Sequence, residues 1–76
     1  MSTFEETPVR NAEALGRTIR RGRQERGWTQ SDLAARALTD RYFLGQIEAG
    51  HETRAVRAIF DTLAALGLEF VVRERR

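Results

Sequence analysis

Apolar residues recur at helical spacing along most of the chain, and the recurrences mark four segments. In the first, Leu15 and Ile19, joined by Gly22, form an inward stripe while Arg17, Arg20, Arg21 and Arg23 crowd the remaining faces. Asn11 suits its N-cap, Glu13 suits its first turn, and Gly27 suits the position just past its end. The spacing therefore predicts a helix from residue 11 or 12 to about 26. Gly16 and Gly22 each cost ~1 kcal/mol of helix propensity, which a close helix packing would explain. The second segment, residues 31–37, puts Leu33, Ala34 and Ala37 on one side. The third, residues 41–48, turns Leu44 and Ile47 back toward the same core, with Thr39 or Asp40 as its cap. The fourth follows Thr53, a good N-cap. There Val56, Ile59, Phe60, Leu63 and Leu66 give a core-facing stripe that Gly67 terminates. Two short helices with a tight connection, residues 29–50, form the centre of this pattern and carry a helix-turn-helix signature.

The two ends read differently. Residues 1–9 show no pattern, and Pro8 discourages helix at Thr7. Leu68 to Arg73 alternates imperfectly and is rich in β-formers, so it reads as a strand. A strand needs a partner for its backbone donors and acceptors, and the pattern shows no second one. The simplest partner is the same strand from another copy, paired about a two-fold axis. Leu68, Phe70 and Val72 then face the helices at a dimer contact, while Arg73, Arg75 and Arg76 stay wet. The alternative is an irregular tail that folds back. The predicted division is a flexible arm over residues 1–10, a helical domain over 11–67, and a dimerisation strand with a basic tail over 68–76.

Seventy-six residues make one small domain, near the size at which a single core gives marginal stability. Cysteine is absent, so oligomerisation is the remaining common way to gain buried area. No apolar run approaches the ~18 residues of a membrane span, and no basic-then-apolar leader precedes the domain. A cytoplasmic protein is expected. Net charge is only +2, yet all 13 basic residues are arginine. Residues 17–57 hold nine arginines against five acids (Glu25, Asp32, Asp40, Glu48 and Glu52), with Glu5 and Glu6 outside that block. A basic helical block suggests a polyanionic partner, although a solvated arginine-rich surface has the same composition. Catalysis finds no support. There is one histidine, Ser31 sits at a helix start, and the acids lack metal-ligand spacing. No cofactor, metal or small-molecule substrate is expected.

Gly27-Trp28-Thr29-Gln30, then Leu33-Ala34, then Ile47-Glu48-Ala49-Gly50 resembles the Xre/Cro family of prokaryotic DNA-binding domains over residues 15–67. The resemblance implies a mainly α, lambda-repressor-like helix-turn-helix bundle of four to five helices. It also implies a partly buried ion pair between Arg23 and Glu48. One departure stands out: Leu38 occupies a turn position where that family usually has Gly. A left-handed backbone strains Leu, so a remodelled turn or a longer preceding helix is expected there. The opening Arg41-Tyr42-Phe43-Leu44 and the terminal strand resemble HipB-type antitoxins over residues 11–74. That subgroup implies a strand paired across a homodimer, repression of its own operon, and a HipA-type kinase toxin as partner.

Groove geometry then assigns candidate residues. A recognition helix lies in the major groove and presents its N-terminal side chains to base edges. With Leu44 and Ile47 inward, Arg41, Tyr42, Gly45 and Gln46 face out. Arg41 suits a bidentate contact with guanine, Gln46 suits adenine, and Tyr42 suits a sugar, a thymine methyl or a phosphate. Phe43 either fills the helix interface or covers the edge of the core, and the core is the expectation. Gln30, Thr39, His51, Thr53 and Arg54 are the candidate phosphate contacts, Gln30 from a helix start. Arg23 is structural first and a phosphate contact second. The expected function is a dimeric repressor of a palindromic double-stranded DNA operator, with antitoxin activity. Two alternatives stay open: an interaction module that keeps the fold without specific DNA binding, and a phage-type repressor with no toxin.

Overall fold

Four short polar side chains each accept the hydrogen bond of a backbone N–H that the following helix leaves unpaired. Asn11 accepts from the Ala14 amide at 2.7 Å, Thr29 from Asp32 at 3.0 Å, Asp40 from Phe43 at 2.7 Å and Thr53 from Val56 at 3.2 Å. Thr29 also closes a capping box, its own amide donating to the Asp32 carboxylate at 2.9 Å. A computed structural model of the chain, which describes residues 6–75, has four helices behind these caps. They are α1 (Ala12–Glu25), α2 (Gln30–Arg36), α3 (Arg41–Glu48) and α4 (Arg54–Ala65). No fifth helix occurs among the described residues.

All four helices stop in the same way. Gly27, Leu38, Gly50 and Gly67 have positive φ. The next amide in each case reaches back five residues, as Trp28 does to the Arg23 carbonyl and Thr39 to that of Ala34. Leu38, at φ 57°, is the one of these without glycine's freedom. The turn is thus neither remodelled nor absorbed into a longer α2. The 2.9 Å bond from Thr39 to Ala34 and the Asp40 cap that follows hold a conformation costing about 1 kcal/mol.

Close approach of α1 to α3 needs a missing side chain. A Cβ on Gly16 would stand 2.8 Å from the Glu48 carbonyl oxygen and nearer still to that of Ile47. The buried apolar residues are Val9, Ala12, Ala34, Leu44 and Phe60, and two of the five are alanines. The core is small. It leaves Ile59 and Leu66 of the predicted α4 stripe 50% and 67% exposed, since no described element covers that side and Leu66 is already the C-cap. Phe43 is likewise on the surface at 55% exposure, not in the core. At 100° per residue it stands a quarter-turn from Leu44.

The C-terminal strand finds its partner within the chain. β1 (Thr7–Val9) and β2 (Phe70–Val72) pair antiparallel, with Thr7 opposite Val72 and Val9 opposite Phe70. This corrects two expectations, the flexible arm over residues 1–10 and the need for a second copy to complete the sheet. Residues 1–5 and Arg76 lie outside the described residues. Three residues are too few for a period-2 pattern to show, and Pro8 hid the strand further. A proline is tolerated on an edge strand, and both strands of a two-stranded sheet are edges. Val9 is wholly buried beneath this sheet, Phe70 meets Phe60 edge-to-face at 5.8 Å, and Arg10 pairs with Glu69 beside it. Among the described residues no helix is long and apolar enough to cross a membrane.

Candidate nucleic-acid interface

α3 is locked from within. Leu44 is buried, Ile47 is half-buried, and Glu48 at the last turn is the buried carboxylate on which three elements converge. Arg23 of α1 donates through Nε and Nη2 to the two Glu48 oxygens at 2.8 and 3.0 Å, and through Nη1 to the Trp28 carbonyl at 2.8 Å. Gln30 of α2 donates to Glu48 Oε1 at 3.3 Å. Burial alone would push the Glu48 carboxyl up. The hydrogen bonds from Arg23 and Gln30 and the charges of Arg23 and Arg20 outweigh it and hold the group below the usual glutamate range. The bond to Glu48 correspondingly raises Arg23. No buried side-chain polar atom among the described residues lacks a partner.

The outer side of α3 carries the predicted base-reading set. Arg41 and Tyr42 open the helix and are exposed, Tyr42 at 74%, while Gln46 one turn later is half-buried. Gly45 lies beside the Gln30 amide, whose Oε1 would be 3.7 Å from an added Cβ. Gln30 therefore runs along α3 with one N–H given to Glu48, leaving its second N–H for an outside acceptor. Thr39 is exposed in the turn before α3. His51, Thr53 and Arg54 lie together beyond its other end, all exposed. The Thr53 oxygen is engaged as the α4 cap, so only its hydroxyl hydrogen is left to donate outward. The predicted dimer residues separate. Leu68 and Phe70 are 56% and 47% exposed on the α4 side, and Val72 is half-buried against α1.

Three features escaped the sequence pattern. Leu38 is 94% exposed at the turn tip, with Phe43 open on the neighbouring helix. Half-buried Trp28 stacks with two arginines, the guanidinium carbon of Arg36 at 4.2 Å and that of Arg26 at 5.7 Å from the ring centre. An aromatic set between a helix end and the next N-cap was the available signal for that stack. Among the described residues no cluster of histidine and acidic side chains has the geometry to hold a metal ion. Comparison of the chain with protein-family models, with curated proteins and with solved structures finds no match.

Proposed function

We propose that the protein is a sequence-specific DNA-binding repressor in which α2 and α3 act as a helix-turn-helix. One observation carries the reading: a short helix is fixed on its inner side by Leu44, Ile47 and the Arg23–Glu48 pair, and presents Arg41 and Tyr42, with Gln46 beside them, on its outer side. A rigid helix of this kind brings a guanidinium and an amide to base edges with its backbone already ordered, leaving only side-chain freedom to be lost on binding. Arg41 reads guanine, Gln46 reads adenine, and Tyr42 supplies the sugar or thymine contact. Gln30, Thr39, His51 and Arg54 take phosphates, with Thr53 donating its hydroxyl.

The operator is palindromic and the repressor a homodimer. Support for a second copy comes from the exposed Ile59, Leu66, Leu68, Phe70 and Val71 on α4 and the segment after it. This many exposed large apolar side chains on a small domain is what an interface between copies would cover. The resemblance over residues 11–74 supports the fuller reading of a HipB-type antitoxin that represses its own promoter and neutralises a HipA-type kinase. The reading includes no catalytic step and places the protein in the cytoplasm. A phage-type repressor with no toxin shares the DNA chemistry and differs in its partner alone.

The test is fluorescence anisotropy on a duplex from upstream of the gene. Affinity should fall steeply with salt through counterion release. Arg41→Ala should cost about 1–3 kcal/mol on that duplex and leave binding to unrelated DNA unchanged. A second reading, a protein-interaction module that has kept the fold, is favoured by the exposure of Leu38 and Phe43 beside α3. A flat and weak salt response would select it.

A further inference from the structure

One surface lies apart from the α3 side chains proposed to meet DNA and from the exposed apolar residues of α4. α1 has two working stripes about 60° apart at 100° per residue. Gly16 and Arg23, with Ala12 on the same stripe, lie on the side that meets α3, while Leu15, Ile19 and Arg26 line a groove of about 410 Å³ closed on its far side by Val72 and the segment following β2. Leu15, Ile19 and Val72 form its floor and are each only half-buried, so the trough is open to solvent along its length. The rim is cationic. Arg26, Arg73 and Arg75 stand against the single carboxylate of Glu74, and no ion pair among the described residues engages any of the three arginines. Arg26 is held in place, its Nη1 donating to the Gly22 carbonyl at 3.2 Å and its guanidinium lying over Trp28. A guanidinium oriented in this way is prepared for a carboxylate.

We propose that this groove docks an acidic amphipathic segment of a partner protein, with its apolar side chains on the Leu15–Ile19–Val72 floor and its carboxylates at Arg26, Arg73 and Arg75. Charge complementarity selects the sign of the partner, and the floor selects its class. A nucleic-acid backbone would satisfy the rim and leave the apolar floor wet, whereas an amphipathic acidic peptide satisfies both. No residue of α3 lines the groove, so this partner and the proposed DNA engage different residues. The proposal stands independently of the DNA-binding reading.

The test is methyl and amide NMR on the full chain, titrated with a synthetic leucine–glutamate peptide whose leucines fall at i, i+3, i+4 and i+7. The Leu15, Ile19 and Val72 methyl resonances should shift with this peptide and not with its leucine–lysine counterpart. Joint Arg73→Glu and Arg75→Glu reversal should weaken binding by about tenfold or more, Arg26→Gln should weaken it less, and Arg41→Ala should leave it unchanged. Amide dispersion identical to wild type shows that the variants fold. Unmoved methyls, equal binding by the reversed variant, or the same methyl shifts with a random-sequence DNA duplex would each overturn the proposal, the last making the groove a phosphate surface.

Discussion

Arg23 grips Glu48 side-on, its Nε and Nη2 reaching the two carboxylate oxygens at 2.8 and 3.0 Å across twenty-five residues of sequence. With side chains 13% and 3% exposed, the pair is shielded from solvent and ties α1 to the last turn of α3. Replacing one partner leaves the other charge buried and unpaired. Glu48→Gln should cost about 3 kcal/mol, the lower end for a broken buried pair, because Arg23 keeps its bond to the Trp28 carbonyl. Urea unfolding of the variant measures it.

The same pair sets an acid limit. Glu48 is held below the usual glutamate range, and Asp32 is lowered by the Thr29 amide that donates to it and by the Thr29 hydroxyl. Both carboxyls bind a proton more tightly in the unfolded chain. Their contribution is complete above the unfolded values, about 4.3 for Glu and about 3.9 for Asp, and is lost as pH falls through the lower folded values. Unfolding free energy measured from pH 7 to pH 2 should decline on that limb, and Glu48→Gln should flatten it. A stability that rises with acidity there would contradict the assignment.

Gly16→Ala tests the approach of α1 to α3. The new methyl would meet backbone oxygens of Ile47 and Glu48, which cannot swing aside as a flexible side chain would. A loss of about 2 kcal/mol is expected, or about 10 °C in Tm for a domain of this size. The reporter is thermal melting by circular dichroism. An unchanged Tm would mean that the two helices stand further apart.

Leu38 gives the opposite sign. Its left-handed backbone is strained and its side chain, 94% exposed, makes little contact that would be lost. Leu38→Gly should stabilise the protein by about 1 kcal/mol in chemical denaturation. If Leu38 also serves a protein contact, the same change should weaken that contact while the fold gains.

Where the sequence spoke plainly, the structure follows it closely. Asn11, Asp40 and Thr53 cap where they were expected to, because an N-cap is a local interaction that needs no knowledge of the rest of the fold. Leu44 and Phe60 are inward for the same reason: their stripes are periodic. The misreadings are tertiary. β1 is three residues long, contains a proline, and exists because β2 lies beside it some sixty residues away, which no local window reveals. Ile59 and Leu66 fit the stripe of α4 and are exposed, since periodicity says which residues share a face and not whether anything covers it. At the candidate interface, Arg41 and Tyr42 were readable from the inward pair Leu44 and Ile47. The engagement of Gln30 with Glu48 was not, because it depends on how α2 crosses α3.

Selection of binding sites from a pool of random double-stranded DNA, by wild type and Arg41→Ala in parallel, tests the central claim most directly. The account predicts that wild type enriches a palindrome whose half-sites lie about 34 Å apart or a multiple of it. Arg41→Ala should then relax the preference at one base of each half-site and leave the rest of the motif intact. Enrichment of no sequence by the wild type, or the same motif from both proteins, would contradict it.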